Sequence, residues 1–191
     1  MDKSRQIQLV SGAARSELNP ADGLIVSTFS IGGKNVLFPD GRIDSNGKNK
    51  RRGGIPVLFP NAGALKDPMP NFNLPQHGFA RDMSWETVGV DSRRAGFLLK
   101  SNDATREKFP LEFEVRAKIS LEPSALDYRL SVNNPGGVLL WAAPGLHPYF
   151  AIPEDRRAEV QTNILGFEMS SYRLDESLIL MPQQVDANIP G

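Results

Sequence analysis

The chain is 191 residues long, with 22 basic and 22 acidic residues and therefore no net charge, which favours neither nucleic acid nor an anionic membrane as a partner. It has no cysteine, which excludes disulfides and thiolate metal sites. Hydrophobic residues at 40% and charged residues at 23% fit an ordinary globular chain with one well-buried core. The N-terminus, MDKSRQIQLVSG, lacks the apolar stretch of a signal peptide, and no apolar run approaches the roughly 20 residues that span a bilayer. A cytoplasmic location is expected.

Residues 1–22 are polar and lead into the turn signal Asn19-Pro20-Ala21-Asp22-Gly23. Residues 24–31, LIVSTFSI, are β-branched and aromatic and predict a strand. Gly32-Gly33 turns the chain so that Val36-Leu37-Phe38 pairs back as a hairpin arm. Residues 39–51 are polar, carry Asp-Gly and Asn-Gly, and predict a loop. The basic residues Lys48, Lys50 and Arg51 are taken as members of that solvated loop.

The stretch from Arg52 to Arg81 organises the chain. It holds five of the 15 prolines and is rich in glycine, which excludes a long helix or a central strand. Rigid loops around one short apolar strand, residues 55–59, are expected instead. Further on, residues 85–90 and 96–100 predict a hairpin across residues 91–95. From Leu111 to Leu121 apolar and polar residues alternate without a break, as a strand with one buried face requires. Leu126, Tyr128, Leu130 and Val132 repeat the alternation, and Asn133-Asn134-Pro135-Gly136-Gly137 closes it with a turn. Residues 138–142 form another short apolar run. Val160, Ile164, Leu165 and Phe167 suggest strand fragments, and residues 178–181 one more. No amphipathic helical stripe exceeds two turns. Many short strands at about ten-residue spacing predict an all-β, antiparallel sandwich.

The two histidines, His77 and His147, both lie in Pro/Gly-bounded loops. Imidazole titrates near 6.5 and suits proton transfer, although a loop histidine taken alone is more often structural. Arg52 and Arg81 bracket the central loop, and guanidinium forks match phosphate or carboxylate. There is no phosphate-binding or dinucleotide glycine motif and no G-x-S-x-G elbow. Two histidines without cysteine also argue against a zinc site. These patterns reach a β-sandwich with a polar, arginine-flanked loop site.

RGGIPVLFP at 52–60, PQHGFAR at 75–81 with Trp85 following, and GLHPYF at 145–150 resemble the aldose 1-epimerase (mutarotase) family, most of all its glucose-6-phosphate (hexose-6-phosphate) branch. Asp103–Arg106, Phe109-Pro110 and Phe113 resemble the linking strands between those motifs. The resemblance covers residues 24–152. It implies the galactose mutarotase-like supersandwich, a sugar or sugar phosphate as partner, no cofactor, and interconversion of α and β anomers by acid–base ring opening. By position, His147 corresponds to the acid that protonates the ring oxygen. His77 corresponds to the second active-site histidine, and Arg52, Gln76 and Arg81 to substrate-binding residues, the arginines facing phosphate. The family's glutamate base lies on a strand near its C-terminus and has no match after Phe150. Glu154, Glu159, Glu168 and Glu176 are instead expected to be surface carboxylates. The sequence thus predicts one mutarotase-like domain over residues 1–191, incomplete at its C-terminus. A non-catalytic carbohydrate-binding module using the same cleft is the alternative.

Overall fold

A hairpin of β1 (Ile7–Ser11) and β2 (Ala14–Asn19) opens the structure, a computed structural model that describes residues 6–45, 48–63, 72, 74–159, 171–174 and 180–183. The hairpin is antiparallel from Ile7↔Leu18 to Ser11↔Ala14 and continues into β3 (Ile25–Ile31) and the short β4 (Lys34–Asn35). The chain divides into two compact units, Met1–Ala151 and Ile152–Gly191.

In the first unit β5 (Gly41–Ser45) and β6 (Lys48–Arg52) pair as a separate ribbon, and β7 (Val57–Leu58) follows. A 3-10 turn, Ala80–Asp82, leads to β8 (Glu86–Val90) and β9 (Arg94–Lys100). The single-turn α1 (Asp103–Arg106) is capped by Asn102, whose side chain accepts from the Thr105 N–H while Thr105 Oγ1 accepts from the Asn102 N–H. Then β10 (Glu114–Glu122) and β11 (Ala125–Asn133) complete a second four-stranded sheet in the order β11-β10-β9-β8. The small strand β12 (Gly145–Leu146) returns to pair with β7.

The inner faces of the two large sheets share one core. Leu9, Leu18, Val26 and Phe29 from the first sheet and Phe97, Leu99, Val115, Ile119 and Leu121 from the second belong to one buried cluster. The alternation predicted for residues 111–121 is realised in β10, where Val115, Ala117, Ile119 and Leu121 are buried and Arg116 and Lys118 exposed. This is the antiparallel β architecture expected. At the centre stands Phe59, fully buried, with ring centroids 4.9 Å from Phe113, 6.1 Å from Phe79 and 6.3 Å from Phe109. Burying one such ring stabilises the fold by about 1.5–3 kcal/mol. The residues immediately after Phe59 are thereby tied to the core.

Four sequence expectations are corrected, one of them Asp103–Arg106, which is the helical turn α1 rather than part of a linking strand. Residues 7–19 are a hairpin rather than a polar lead-in, and residues 41–52 are a paired ribbon rather than a loop. Residues 138–142 are irregular: Leu140 and Ala142 pack on the core while Val138, Leu139 and Trp141 face outward.

In the second unit a 3-10 turn, Glu154–Glu159, precedes β13 (Ser171–Leu174) and β14 (Leu180–Gln183), which pair antiparallel. Leu180 and Met181 of the predicted final strand fall in β14. Val160, Ile164, Leu165 and Phe167 lie outside the described residues, as do Glu168 and Glu176. Glu154 is exposed, and Glu159 closes the 3-10 turn.

Candidate functional site

Residues 143–151 are clamped between two segments far away in sequence. Beyond the β7–β12 pairs Gly145↔Leu58 and Leu146↔Val57, the His147 N–H donates to the Pro56 carbonyl (3.1 Å) and the Tyr149 N–H to the Gly54 carbonyl (2.9 Å). On the other side the Phe38 N–H donates to the Tyr149 carbonyl (2.8 Å) and the Ala151 N–H to that of Val36 (3.0 Å). Extended backbone puts residues two apart on one face. His147 and Tyr149 accordingly point the same way, with rings stacked at 4.7 Å and an interplanar angle of 29°.

The second histidine is held by a turn. The Gly78 N–H donates to the Pro75 carbonyl (3.0 Å), and His77 takes a left-handed φ of 74° at the third turn position. Such a conformation strains most side chains, though histidine adopts it more readily than β-branched residues do. Gly78 follows with φ 65°, where an added Cβ would stand 2.1 Å from the Phe59 carbonyl oxygen. No larger residue fits there without moving the core. The N–H groups of Phe79 and Ala80 both donate to that carbonyl (2.9 and 3.1 Å). Buried Asn61 adds a brace, its Nδ2 donating to the carbonyls of Gly63 (2.7 Å) and Pro75 (3.0 Å).

His77 Nδ1 lies 2.6 Å from the Ala62 carbonyl oxygen. A carbonyl only accepts, so Nδ1 carries the hydrogen. Burial holds the His77 pKa below the usual imidazole value. The Ala62 bond opposes that shift, and the charges of Arg81, His147 and Arg52 reinforce it. The rings of His77 and His147 meet edge-to-face at 5.6 Å.

Both rings open on a cavity of about 460 Å³, within the usual range for small-molecule sites. All five candidate residues, His77, His147, Arg52, Gln76 and Arg81, line this one cavity. Asp22, Arg51, Asp82 and Tyr149 line it as well, and no motif in the sequence points to them. For Tyr149 a signal was available, since it stands two residues after His147 on an extended segment.

Arg51 is a correction. Instead of a solvated loop residue, it is a clamp: Nε and Nη2 donate to the two Asp40 carboxylate oxygens (2.8 and 2.7 Å), and Nη1 reaches Asp22 Oδ1 at 2.9 Å. The next residue, Arg52, is exposed, and its Nη1 donates to the Arg51 carbonyl (3.2 Å). Among the described residues, neither Arg52 nor Arg81 has a carboxylate partner. The Gly23 backbone passes close to that of Arg81: a Cβ on Gly23 would stand 1.9 Å from the Arg81 carbonyl oxygen. The site thus offers, among the described residues, two guanidinium groups without carboxylate partners beside two imidazoles. Among the described residues no cluster of three or more potential ligands could hold a metal ion, and no helix is long and apolar enough to cross a membrane.

Comparison with known proteins agrees with the motifs. A "Putative glucose-6-phosphate 1-epimerase" from Cenchrus ciliaris is 26% identical over 162 residues, covering 78% of this chain and 46% of its own length. A crystal structure of a Synechocystis sp. PCC 6803 protein matches with a TM-score of 0.69 at 32% identity, over 80% of this chain and 56% of that one. A galactose mutarotase related enzyme from Lactobacillus acidophilus matches with a TM-score of 0.66 at 25% identity, over 79% of this chain and 50% of its own. This chain therefore spans about half the length of these relatives. The family model for aldose 1-epimerase matches residues 38–173, which is most of the chain. The protein belongs to the aldose 1-epimerase family.

Proposed function

We propose that the cavity binds a hexose or hexose 6-phosphate and that the chain acts as a 1-epimerase on it. The observation that carries this reading is the convergence of His77, His147, Arg52, Gln76 and Arg81, from three separate segments of the chain, on one cavity. In the proposed reaction a base takes the proton of the anomeric hydroxyl, and the electrons of that O–H bond form the C1–O1 carbonyl. The bond from C1 to the ring oxygen breaks, and its electron pair takes a proton from His147. Rotation about C1–C2 and reclosure from the other face give the opposite anomer. Acid–base help of this kind is worth about 10²- to 10⁴-fold for each well-placed group. Arg52 and Arg81, without carboxylate partners, would bind the phosphate, and Gln76 a sugar hydroxyl.

A second reading, a carbohydrate-binding module without turnover, draws on the state of the cavity's carboxylates. Asp22 is engaged by Arg51, and Asp82 is exposed at the rim. Saturation-transfer NMR on glucose 6-phosphate separates the two. The 1-epimerase reading expects α–β exchange above the buffer background, abolished by His147→Ala. Binding with no accelerated exchange would select the module. Arg52→Ala and Arg81→Ala should each weaken glucose 6-phosphate binding about tenfold or more while sparing glucose. Equal losses for both sugars would remove the phosphate role.

A further inference from the structure

We infer that the outer edge of β11 is an interaction surface for a second copy of this chain. The two copies pair β11 with β11, antiparallel, about a two-fold axis at Tyr128, which sets Asp127 of each copy opposite Arg129 of the other. The partner is a second copy because the strand is complementary to itself, in backbone and in charge.

β11 ends the sheet order β11-β10-β9-β8, and among the described residues no strand or loop bonds its other side. Which backbone groups face that side follows from the ladder. The N–H groups of Ser101 and Leu121 donate to the carbonyls of Phe113 and Arg93 (3.0 and 2.8 Å). Along an antiparallel strand these groups alternate sides, so odd-numbered residues of β10 turn theirs toward β9 and even-numbered ones toward β11. The register sets Lys118 against Arg129 and Ser120 against Asp127, so Arg129 and Asp127 are bonded to β10. Leu126, Tyr128, Leu130 and Val132 therefore present their N–H and C=O groups at the free edge. Their side chains pack against the core cluster and are only partly buried. The opposite edge strand differs. β8 has a register shift between Thr87 and Gly89, an irregularity of the kind that blunts an edge, whereas β11 pairs without interruption over nine residues and contains no proline.

Charge selects the register. With the axis at Tyr128, Leu126 faces Leu130 of the second copy and Tyr128 faces its own counterpart. These residues carry the free backbone groups, and pairing them makes about six new backbone hydrogen bonds. On the solvent face Asp127 meets Arg129 of the second copy, twice by symmetry. Both residues are exposed, and within one chain they bridge each other at 3.0 Å. Moving the axis by one residue sets like charges opposite: Asp127 against Asp127 in one direction, Arg129 against Arg129 in the other. Directly opposed like charges destabilise a strand pair and opposite charges stabilise it. An axis at Leu126 or Leu130 pairs neither residue with an opposite charge. The apolar face agrees with the axis at Tyr128, since the half-buried Leu126 and Leu130 cover each other across the joint.

Charge reversal in trans tests the pairing. Arg129→Asp leaves only acidic groups on the solvent face of the joint, and Asp127→Arg only basic ones. Each variant alone should raise the dimer dissociation constant about tenfold or more in sedimentation velocity, with the fold intact by circular dichroism. Mixed in equal amounts the two variants are complementary again, and they should form a heterodimer about as tight as the wild-type dimer. Hydrogen exchange followed by NMR reads the edge itself. As the wild-type concentration rises, the amides of Leu126, Tyr128 and Leu130 should gain protection, while those of Asp127 and Arg129, already bonded to β10, should change little. A wild-type chain that stays monomeric to hundreds of micromolar, or a variant mixture that does not associate, overturns the inference. Association indifferent to both charge reversals overturns it as well and moves the contact to the exposed apolar residues 138–150. Edge amides already protected in the dilute monomer would also overturn it, by showing that another segment of this chain covers β11.

Discussion

His77 couples a strained backbone, a buried ring nitrogen and a site cation field in one residue. Its pKa is lowered chiefly by burial, and the neighbouring charges of Arg81, His147 and Arg52 add to the effect. In the unfolded chain the ring titrates near 6.5. The unfolded state therefore binds the proton more readily, and stability rises with pH across the window between the folded value and about 6.5. The stabilisation from this group is complete above that window and lost as pH falls through the lowered folded value. Urea denaturation of the wild type and of His77→Asn between pH 5 and 8 checks the sign. The wild type should lose more stability on acidification than the variant does. A wild type that gains stability relative to His77→Asn as pH falls would contradict the assignment.

At the scale of elements, the site depends on contacts that hold loops to loops. Asn61 joins the end of the central apolar stretch to the turn carrying His77, through donations to Gly63 and Pro75. Asn61→Ala removes both donors from a buried place and should cost about 1–3 kcal/mol. Glucose 6-phosphate binding should weaken with it, because the turn at residues 75–78 loses its brace. A lowered urea midpoint with unchanged sugar affinity would show that Asn61 supports the fold but not the site. Period and motif made much of this level legible. The alternation in β10 and β11 appeared where the structure has strands, and the motifs named the loops that meet at the cavity. The β1–β2 hairpin escaped notice because its inward positions include Ser11, Ser16 and Ala14, which blur the apolar period. The role of Arg51 is hidden in the sequence for another reason. Its partners Asp22 and Asp40 are 29 and 11 residues away, and no local pattern reports a pairing of that kind.

At the scale of the Met1–Ala151 unit, burial is uneven across the second sheet. The inward residues of β10 are buried, whereas Leu126, Tyr128, Leu130 and Val132 on the outermost strand β11 are only partly so. The Tyr128 hydroxyl is enclosed without a partner among the described residues, and burial pushes its ionisation well upward. In the chain just after β11, Val138 and Leu139 are 62% and 67% exposed, Trp141 is 40% exposed, and Phe150 is 58% exposed. Scattered apolar side chains are normal on a surface, but four large ones within thirteen residues favour contact with another apolar surface. Concentration-dependent self-association is the expected outcome, together with binding of the dye ANS. Sedimentation velocity from micromolar to hundreds of micromolar checks the first, and dye fluorescence the second. Leu139→Glu puts a charge on an exposed position with little cost to the fold, since surface substitutions usually stay within about 0.5 kcal/mol. It should shift the association to higher concentration and reduce the dye signal. A wild-type chain that stays monomeric throughout, with no dye binding, would show that these side chains are covered in solution.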